Sequence, residues 1–492
     1  MHITLIAGAR PNFMKIAALV HAIERYNELT NERVNELTSE GVSELGNKRV
    51  EYRLVHTGQH YDKNMSDTFF EELGIPAPDV NLGCGGGTQA EQTAAIMIAF
   101  EQDLMAHPTD VVLVVGDVTS TMACSIVAKK LNTKVCHVEA GIRSWDLTMP
   151  EEINRMVTDS LADYMFTTSD VANANLVRMG ASLMNDIYSK TKTRHLQSLD
   201  SDLPETTPQS ACMQASRQTE DLSCVAGEQQ DASQKHSLSV GSVSPTTFPV
   251  RSQKSIGFSM LTKNIKNSHA DERVMQQVWF VGNVMIDTLL ANRARFRKPD
   301  VWDKLGLQEK QYIVMTMHRP ANVDEENHLR EMMEQIVDNV HGVPVIFPIH
   351  PRTAKIFKDL WKPTPNPSLK GRESEGMKDA SLQERFPNLY IVEPMGYLEF
   401  NYLVERAKAV VTDSGGITEE TTVMGVPCIT LRDNTERPET CTVGTNELIG
   451  TNPAAIKPAL DKLFAGQWKK GAIPELWDGR ATDRIVKILA DL

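Results

Sequence analysis

Short apolar runs recur along the chain, and each is followed by residues with helical spacing. The runs are rich in β-branched residues and apolar on both faces, which is typical of strands in a parallel sheet covered by helices. Their alternation with helices in two blocks predicts an α/β protein with two doubly wound domains. The first block contains HITLIAGA (2–9), YRLVHTG (52–58), DVVLVVGD (110–117), KVCHVEAG (134–141), YMFTTS (164–169) and VWFVGN (278–283), and the second contains YIVMTMH (312–318), VPVIFPIH (343–350), LYIVEP (389–394), AVVTDSGG (409–416) and PCITLRD (427–433).

Residues 185–270 interrupt this alternation with a segment rich in Ser, Gln and Thr. The segment lacks apolar periodicity and cannot bury enough surface to offset its ordering entropy, so we predict a largely disordered insert. Two shorter segments, 28–45 and 363–383, have a similar composition. We interpret all three as loops inserted between core elements, either as regulatory or partner loops or, as we favour, without a role.

Composition narrows the class of protein. The 492 residues carry a net charge of −13, which argues against binding nucleic acid because that function needs a basic face. The seven cysteines have no CxxC spacing, which predicts reduced thiols and no structural zinc. The N-terminal apolar run is too short for a signal peptide, and no apolar stretch reaches the roughly 18 residues of a membrane span. We therefore expect a cytoplasmic protein that binds no membrane.

Reactive side chains follow the ends of the predicted strands. Ligands of open α/β sheets bind beyond the carboxyl ends of the strands, so this placement predicts a ligand site there, although each residue alone could be a helix cap or surface group. The side chains are Arg10, Lys15, Gln59, His60, Asp117, Glu139, Arg143, His318, Arg319, His350, Arg352 and Arg437.

The stretch VVTDSGGITEE (410–420) predicts a phosphate site. Glycines let a ligand approach the backbone after Ser414, and a helix that starts there directs free N–H groups and its dipole at an anion. Glu419 or Glu420 could accept bonds from ribose hydroxyls. The alternative is a plain capped helix with Ser414 as its N-cap. Neither GxGxxG nor GxxxxGK[ST] occurs in the sequence, which excludes a nicotinamide fingerprint and a P-loop.

Acidic residues in the first block suggest proton chemistry. Asp117 and Glu139 follow strands, and Glu151 lies four residues before Arg155 in MPEEINRMVTDSLA, hence on the same face of a predicted helix. A surface ion pair would explain that spacing equally well. Carboxylates at strand ends in a cleft also suit removal of a proton from carbon.

Together these motifs resemble the non-hydrolysing UDP-N-acetylglucosamine 2-epimerases over nearly all of the chain outside the inserts. The resemblance rests on GARPNFMKIAAL (8–19), HTGQHYDKNMSDTFFEELGI (56–75), VVGDVTSTMA (114–123), HVEAGIRS (137–144), MPEEINRMVTD (149–159), VGNVMIDTLL (281–290), MHRPANVD (317–324), FPIHPRT (347–353), TDSGGITEET (412–421) and LRDNTERPET (431–440).

The resemblance implies two Rossmann-like domains in the GT-B arrangement, with the active site in the interdomain cleft. The boundaries would be 1–184 for the first domain, 185–272 for the insert, 273–470 for the UDP-binding domain and 471–492 for a C-terminal helix crossing back to the first domain. Such enzymes usually form homodimers and use no metal or redox cofactor.

The implied reaction interconverts UDP-GlcNAc and UDP-ManNAc, which would supply ManNAc-type sugars for cell-surface polysaccharide. A base removes the C2 proton, UDP leaves, a 2-acetamidoglucal intermediate stays bound, and UDP adds back with a proton on the other face. The reaction needs carboxylates near the sugar, cations at the diphosphate and a dry cleft.

The resemblance also assigns roles at the matching positions. The acid/base candidates are Asp117, Glu139 and Glu151, and His318 would contact the diphosphate and could donate a proton to it. The substrate-binding candidates are Arg10, Lys15, Arg155, Phe400 near the uracil, Ser414, Gly415 and Gly416 at the phosphates, Glu420 at the ribose and Arg437 at the charged part of the ligand.

Three positions depart from the family pattern. Met395 replaces a Gln that often contacts uridine, and Ala321 replaces a Glu found in many relatives. Asp62 replaces the second Gln of a Gln-His-x-Gln stretch through which some bacterial members bind an activating second UDP-GlcNAc, and no Arg occurs in residues 81–92. We therefore expect weak or absent activation of that kind.

Four alternatives remain at this point. The protein could be a 2-epimerase of a modified sugar such as a UDP-diacetamido-uronic acid, or a GT-B glycosyltransferase, which shares the fold. It could be a hydrolysing epimerase, although these usually carry a kinase domain that this sequence lacks. A non-catalytic nucleotide-sugar binder would bind UDP without turnover.

Overall fold

The structure is a computed structural model, and it describes residues 1–39, 49–59, 72–183, 276–349, 357 and 385–492. Residues 184–275 contain the whole predicted insert and lie outside the described part, as does the whole of segment 363–383. Segment 28–45 differs from expectation, because its residues up to Ser39 continue the first helix rather than forming a loop.

The described strands form two sheets in which every strand pair is parallel. The first sheet contains β1 (His2–Ala7), β2 (Glu51–His56), β3 (Val80–Asn81), β4 (Val111–Val115), β5 (Lys134–Val138), β6 (Tyr164–Thr167), β7 (Ser182–Leu183) and β8 (Gln277–Phe280). The second contains β9 (Ile313–Thr316), β10 (Val345–Pro348), β11 (Leu389–Val392), β12 (Ala409–Thr412), β13 (Cys428–Thr430) and β14 (Asn446–Leu448). All eleven apolar runs form strands, whereas β3, β7 and β14 were not predicted.

Both sheets have the doubly wound strand order. The first reads β3-β2-β1-β4-β5-β6-β8-β7 and the second reads β11-β10-β9-β12-β13-β14. In each sheet the order in which strands are added reverses between two neighbouring strands. The crevice at such a switch point is where ligands of open α/β sheets bind. The crevice lies beyond β1 and β4 in the first sheet and beyond β9 and β12 in the second.

Helices connect the strands and cover the sheets. Those of the described part are α1 (Arg10–Ser39), α2 (Gln89–Ala106), α3 (Thr119–Lys130), α4 (Pro150–Leu161), α5 (Asp170–Arg178), α6 (Val284–Asn292), α7 (Asp300–Lys304), α8 (Pro320–Val323), α9 (Glu326–Asp338), α10 (Tyr397–Arg406), α11 (Gly415–Met424), α12 (Pro438–Thr442), α13 (Ile456–Phe464) and α14 (Ala481–Asp491). No helix in this part of the chain is both long enough and apolar enough to cross a membrane.

Strand β8 belongs to the first sheet. It pairs with β6, and Tyr164 lies opposite Gln277. The sequence-based boundary at residue 273 would place this strand in the second domain, so the change of sheet occurs after β8 rather than before it. The grouping of VWFVGN (278–283) with the first block of apolar runs agrees with this pairing, whereas the boundary implied by the resemblance does not.

The C-terminal helix α14 packs against the first domain. Ile485, Val486 and Leu489 are buried in the same apolar cluster as β1 and α1. The carboxylate of Asp287, on α6, accepts hydrogen bonds from the backbone N–H groups of Ala481 and Thr482 at the start of α14. These bonds satisfy donors that a helix N-terminus leaves free and fix where the helix begins.

Candidate active site

Glu139 lies at the centre of a buried charge cluster just beyond β5. Its carboxylate Oε2 is 2.5 Å from Lys15 Nζ of α1 and 3.2 Å from Arg437 Nη2 of the second domain. Burial alone would raise the pKa of Glu139, but Lys15 and Arg437 outweigh it and lower that pKa. The other oxygen, Oε1, has no hydrogen-bond partner among the described residues, so an ionised carboxylate keeps one oxygen available for a proton.

A second buried cluster supports the backbone on either side of Glu139. His137 Nδ1 is 2.6 Å from Asp159 Oδ1, and His137 Nε2 is 2.8 Å from the carbonyl oxygen of Gly116. The ring of His137 is therefore held between the Asp159 carboxylate and the Gly116 carbonyl oxygen. Asp159 also accepts from Arg143 Nη2 at 2.6 Å. Sequence reasoning noted Arg143 but missed His137 and Asp159, whose pairing depends on the fold.

Asp117 follows β4 and is bound by Arg155. The Nη2 atom of Arg155 donates to Asp117 Oδ2, and its Nη1 atom donates to Glu152 Oε2 at 2.9 Å. The helical partner of Arg155 is therefore Glu152, three residues earlier, rather than Glu151. Glu152 is fully buried and accepts from the backbone N–H groups of Ser144 and Trp145, whereas Glu151 is exposed.

His318 follows β9 and faces a buried acid after β12. Its Nδ1 is 3.0 Å from Asp413 Oδ1, and Asp413 also accepts from the backbone N–H groups of His318 and Arg319. These bonds lower the pKa of Asp413 although burial alone would raise it. The ring of His318 is about half exposed. An anionic acceptor at Nδ1 fixes a proton there and leaves Nε2 to contact a ligand.

Ser414, Gly415 and Gly416 form the start of α11. Ser414 is the N-cap residue, but its side chain makes no capping bond. A Cβ added at Gly415 would meet nothing closer than 3.6 Å, so this glycine is not required by packing within the protein. The first turn of α11 contains no acidic residue. Glu419 and Glu420 therefore lie beyond the first turn of α11.

The two glutamates of α11 have different surroundings. Glu419 accepts from Arg437 Nε and from Asn283 Nδ2, the latter at 2.8 Å. Glu420 is buried without such a cation, and burial with the neighbouring Glu419 charge raises its pKa to about 7, although Tyr397 and Asn401 oppose that shift. Glu420 Oε1 has no close hydrogen-bond partner among the described residues.

Phe400 lies on α10 in the apolar cluster that flanks α11. It is partly buried there together with Met395 and Ile417. An aromatic ring that is half covered by apolar neighbours retains a face on which a base can stack.

Several predicted residues fall outside the described part or act elsewhere. The backbone of Arg10 begins α1, but its side chain is not described, and His60, Asp62, His350 and Arg352 are not described at all. Gln59 Oε1 accepts from Ser120 Oγ at 2.8 Å, which supports the loop after β2. No group of His, Cys, Asp or Glu side chains that could hold a metal ion occurs within the described ranges.

The geometry defines a two-domain α/β protein whose facing sheet edges combine acids, cations and a glycine-opened helix. A sequence profile described as UDP-N-acetylglucosamine 2-epimerase matches residues 43–188 and 258–490. This chain belongs to the UDP-N-acetylglucosamine 2-epimerase family, as the motifs predicted.

Full-length relatives agree with this assignment. The chain is 31% identical over 493 residues to the UDP-N-acetylglucosamine 2-epimerase of Methanocaldococcus jannaschii, covering 99% of both chains. It is 29% identical over 500 residues to the UDP-2,3-diacetamido-2,3-dideoxy-D-glucuronate 2-epimerase of Pseudomonas aeruginosa, covering 100% of both.

A solved structure has the same architecture. The crystal structure of the Methanocaldococcus jannaschii UDP-GlcNAc 2-epimerase, in complex with UDP-GlcNAc and UDP, superposes with a TM-score of 0.65 at 29% identity, with 100% of each chain covered. The predicted fold, two Rossmann-like domains in the GT-B arrangement, is therefore confirmed.

Proposed function

We propose that this protein interconverts UDP-GlcNAc and UDP-ManNAc by inverting C2 of the sugar without net hydrolysis. The observation that carries the proposal is the contact between Glu139 of the first domain and Arg437 of the second, 3.2 Å apart. This contact brings a carboxylate candidate beside a cation at the edge where α11 offers free backbone N–H groups. A sugar diphosphate would meet an acid and an anion site at once.

The proposed reaction balances without an oxidant or reductant. A carboxylate takes the C2 proton, the electrons of that C–H bond form the C1=C2 double bond, and the C1–O bond breaks with its electrons leaving on UDP. The diphosphate then re-adds to C1 while an acid returns a proton to the other face of C2. Asp117, Glu139 and Glu151 are the acid/base candidates. Glu139 combines burial, nearby cations and an unpartnered oxygen among the described residues.

The second domain would hold UDP. Ser414, Gly415 and Gly416 would bind the diphosphate, with the backbone N–H groups of the two glycines as donors because that of Ser414 already donates to Thr412 Oγ1. Nε2 of His318 would face the leaving oxygen. Arg437 and Lys15 would offset charge near the reacting carbon. Glu420 would accept from the ribose hydroxyls, and Phe400 would stack against the uracil.

A second candidate is epimerisation of a UDP-diacetamido-uronic acid. The relative from Pseudomonas aeruginosa supports it, because it aligns over the whole chain at nearly the same identity as the UDP-GlcNAc enzymes. A uronate adds a carboxylate at C6, so this substrate would need a further cation near the sugar.

We also propose that the enzyme works as a cytoplasmic homodimer without a metal or redox cofactor.

NMR of purified protein in D₂O tests the proposal, with each UDP-sugar offered separately. We expect UDP-ManNAc to form from UDP-GlcNAc with deuterium at C2 and with intact UDP-sugar throughout. Free ManNAc and UDP would identify a hydrolysing enzyme. Turnover of the uronic acid alone would favour the second candidate, and binding without label incorporation would contradict C2 chemistry.

A further inference from the structure

One loop of the second domain reaches both acid clusters of the first. This loop, residues 431–437, follows β13 and is called the coupling loop here. Arg437 contacts Glu139, and its neighbour Glu436 places Oε1 3.6 Å from Arg155 Nη2. Adjacent residues of opposite charge therefore act on the surroundings of two different carboxylates across the domain boundary.

Glu436 is a buried anion held among arginines. Arg432 donates to its two oxygens at 2.8 and 2.9 Å, and Arg319 Nη2 lies 3.9 Å away. Burial alone would raise the pKa of Glu436, but Arg432, Arg155 and Arg319 bring it down to about 2. The carboxylate is thus charged under all physiological conditions, and it does not act as a proton carrier.

Arg155 is shared between the two domains. Its Nη1 atom is fixed by Glu152, which is itself held by the backbone of Ser144 and Trp145. Its Nη2 atom donates to Asp117 and also faces Glu436. One side of the guanidinium is therefore anchored, while the other is attracted by an acid of each domain. The position of Glu436 consequently influences the geometry of the Arg155–Asp117 bond.

The coupling loop also borders the candidate phosphate site. A Cβ built on Gly415 would lie 3.6 Å from Arg432 Nη1 and 3.9 Å from Glu436 Oε2. An anion at the start of α11 would therefore lie beside the Arg432–Glu436 ion pair. A change in this pair is transmitted by one further contact to Arg155.

We propose that Glu436 is a positioning residue through which the nucleotide-binding domain sets Arg155, and through Arg155 the carboxylate of Asp117, for proton transfer at the sugar. The inference rests on the proposed function, since it names a determinant of the same reaction. It concerns coupling between the nucleotide side and the sugar side of the cleft, whereas Asp117 and Arg155 were assigned by their own positions.

The test is a double-mutant cycle of Glu436→Gln and Arg155→Lys, with kcat and KM measured by C2 deuterium incorporation and UDP affinity measured by calorimetry. We expect Glu436→Gln to lower kcat about tenfold or more, because small misplacements of reacting groups have large effects. KM and UDP affinity should change less than about threefold. In the Arg155→Lys background the same substitution should change kcat less than about twofold, since coupled residues are not additive.

Asp433→Asn is the matched control, because Asp433 lies in the same loop but bonds Thr451 of its own domain. It should leave kcat unchanged. If thermal melting shows that Glu436→Gln is not folded, Glu436→Asp serves instead. It keeps the charge beside Arg432 but has a shorter side chain that reaches less far towards Arg155. It should lower kcat similarly.

Additive effects of the two substitutions, or a rise in KM at unchanged kcat, would overturn the inference. Wild-type protein that incorporates no deuterium would overturn the proposed function, and the positioning role with it. The two failures are thus distinguished by the wild-type measurement alone.

Discussion

The two sheets have the same doubly wound strand order, but they differ in the residues that follow the carboxyl ends of their strands, which are called the rim of each sheet here. The first sheet ends in charged side chains, with Glu139 and Asp117 each bound to a cation. The second ends in the backbone N–H groups of α11, opened by Gly415 and Gly416, with no acidic residue in the first helical turn. The same topology therefore presents side-chain carboxylates on one rim and the N-terminus of a helix on the other.

The difference suggests a division of labour across the cleft. Side-chain acids can gain and lose protons, whereas backbone N–H groups only donate hydrogen bonds. In the proposed reaction, proton transfer and leaving-group binding would therefore belong to different domains. The contact of Arg437 with Glu139 then means that the chemical rim is complete only when both domains are in place. Substitutions on the two rims should consequently affect different measurements.

Glu139→Gln tests the chemical rim and should have the largest effect. The substitution keeps size but removes the acid/base function and the charge facing Lys15 and Arg437. We expect kcat to fall roughly 10²-fold or more, as acid/base groups contribute about that much. UDP affinity measured by calorimetry should remain nearly unchanged.

The matched control for this variant is Glu419→Gln, because Glu419 is the other acid bound to Arg437. If loss of Glu139 acted only by releasing Arg437, both variants would lose the same activity. Near-normal turnover of Glu139→Gln would remove Glu139 from the mechanism.

Glu420→Gln tests the binding rim through stability. The pKa of Glu420 is about 7 in the folded protein and roughly 4.3 in an unfolded chain. Between these values the folded state holds more protons, so wild-type stability falls as pH rises through the window and is constant above it. The variant should be more stable than wild type by roughly 3 to 4 kcal/mol at pH 8 and equal to it near pH 4, since each unit of pKa difference corresponds to about 1.4 kcal/mol. It should also bind UDP more weakly.

Glu439→Gln is the control for Glu420→Gln. Burial likewise raises the pKa of Glu439 to about 7, but Glu439 lies beside Arg437 rather than in the proposed ribose site. Its substitution should give the same pH-dependent gain in stability, measured by thermal unfolding, without a loss of UDP affinity. Equal UDP affinity of wild type and Glu420→Gln would contradict the ribose assignment.

The two rims also differ in how far the sequence could predict them. Apolar runs predicted eleven of the described strands, and Asp117, Glu139 and His318 follow the carboxyl ends of three of them. Strands β3 and β7 have only two residues, too few for periodicity to register, and β14 (NEL) contains a single apolar residue. The i,i+4 spacing predicted Glu151 as the helical partner of Arg155, but the structure has Glu152 at i,i+3, a position that lies on the same helix face. The backbone of Ser144 and Trp145 decided between them.

Gly415→Ala tests whether the second rim is open for a ligand rather than for packing. Since an added Cβ meets no protein atom closer than 3.6 Å, the variant should fold and gain a little stability from helix propensity. UDP affinity should fall about tenfold, because the methyl group would occupy the approach of a phosphate.

Gly425→Ala at the other end of α11 is the matched control. Gly425 has a φ of 69°, so alanine there should lower thermal stability and leave UDP affinity unchanged. Unaltered UDP binding by Gly415→Ala would place the phosphate elsewhere.

The smallest effect is expected from deleting residues 190–268. This segment lies in the sequence between β7 and β8, two neighbouring strands at one edge of the first sheet. At this edge β7 and β8 pair in parallel, and Ser182 lies opposite Gln277. A parallel pair needs a crossover of about a dozen residues, and the deletion leaves about fourteen between the strands. Melting temperature and turnover should therefore change little. A collapse of solubility or activity would show that the edge of the first sheet depends on the deleted segment. The two sheets would then differ in what stabilises their edges as well as in the residues on their rims.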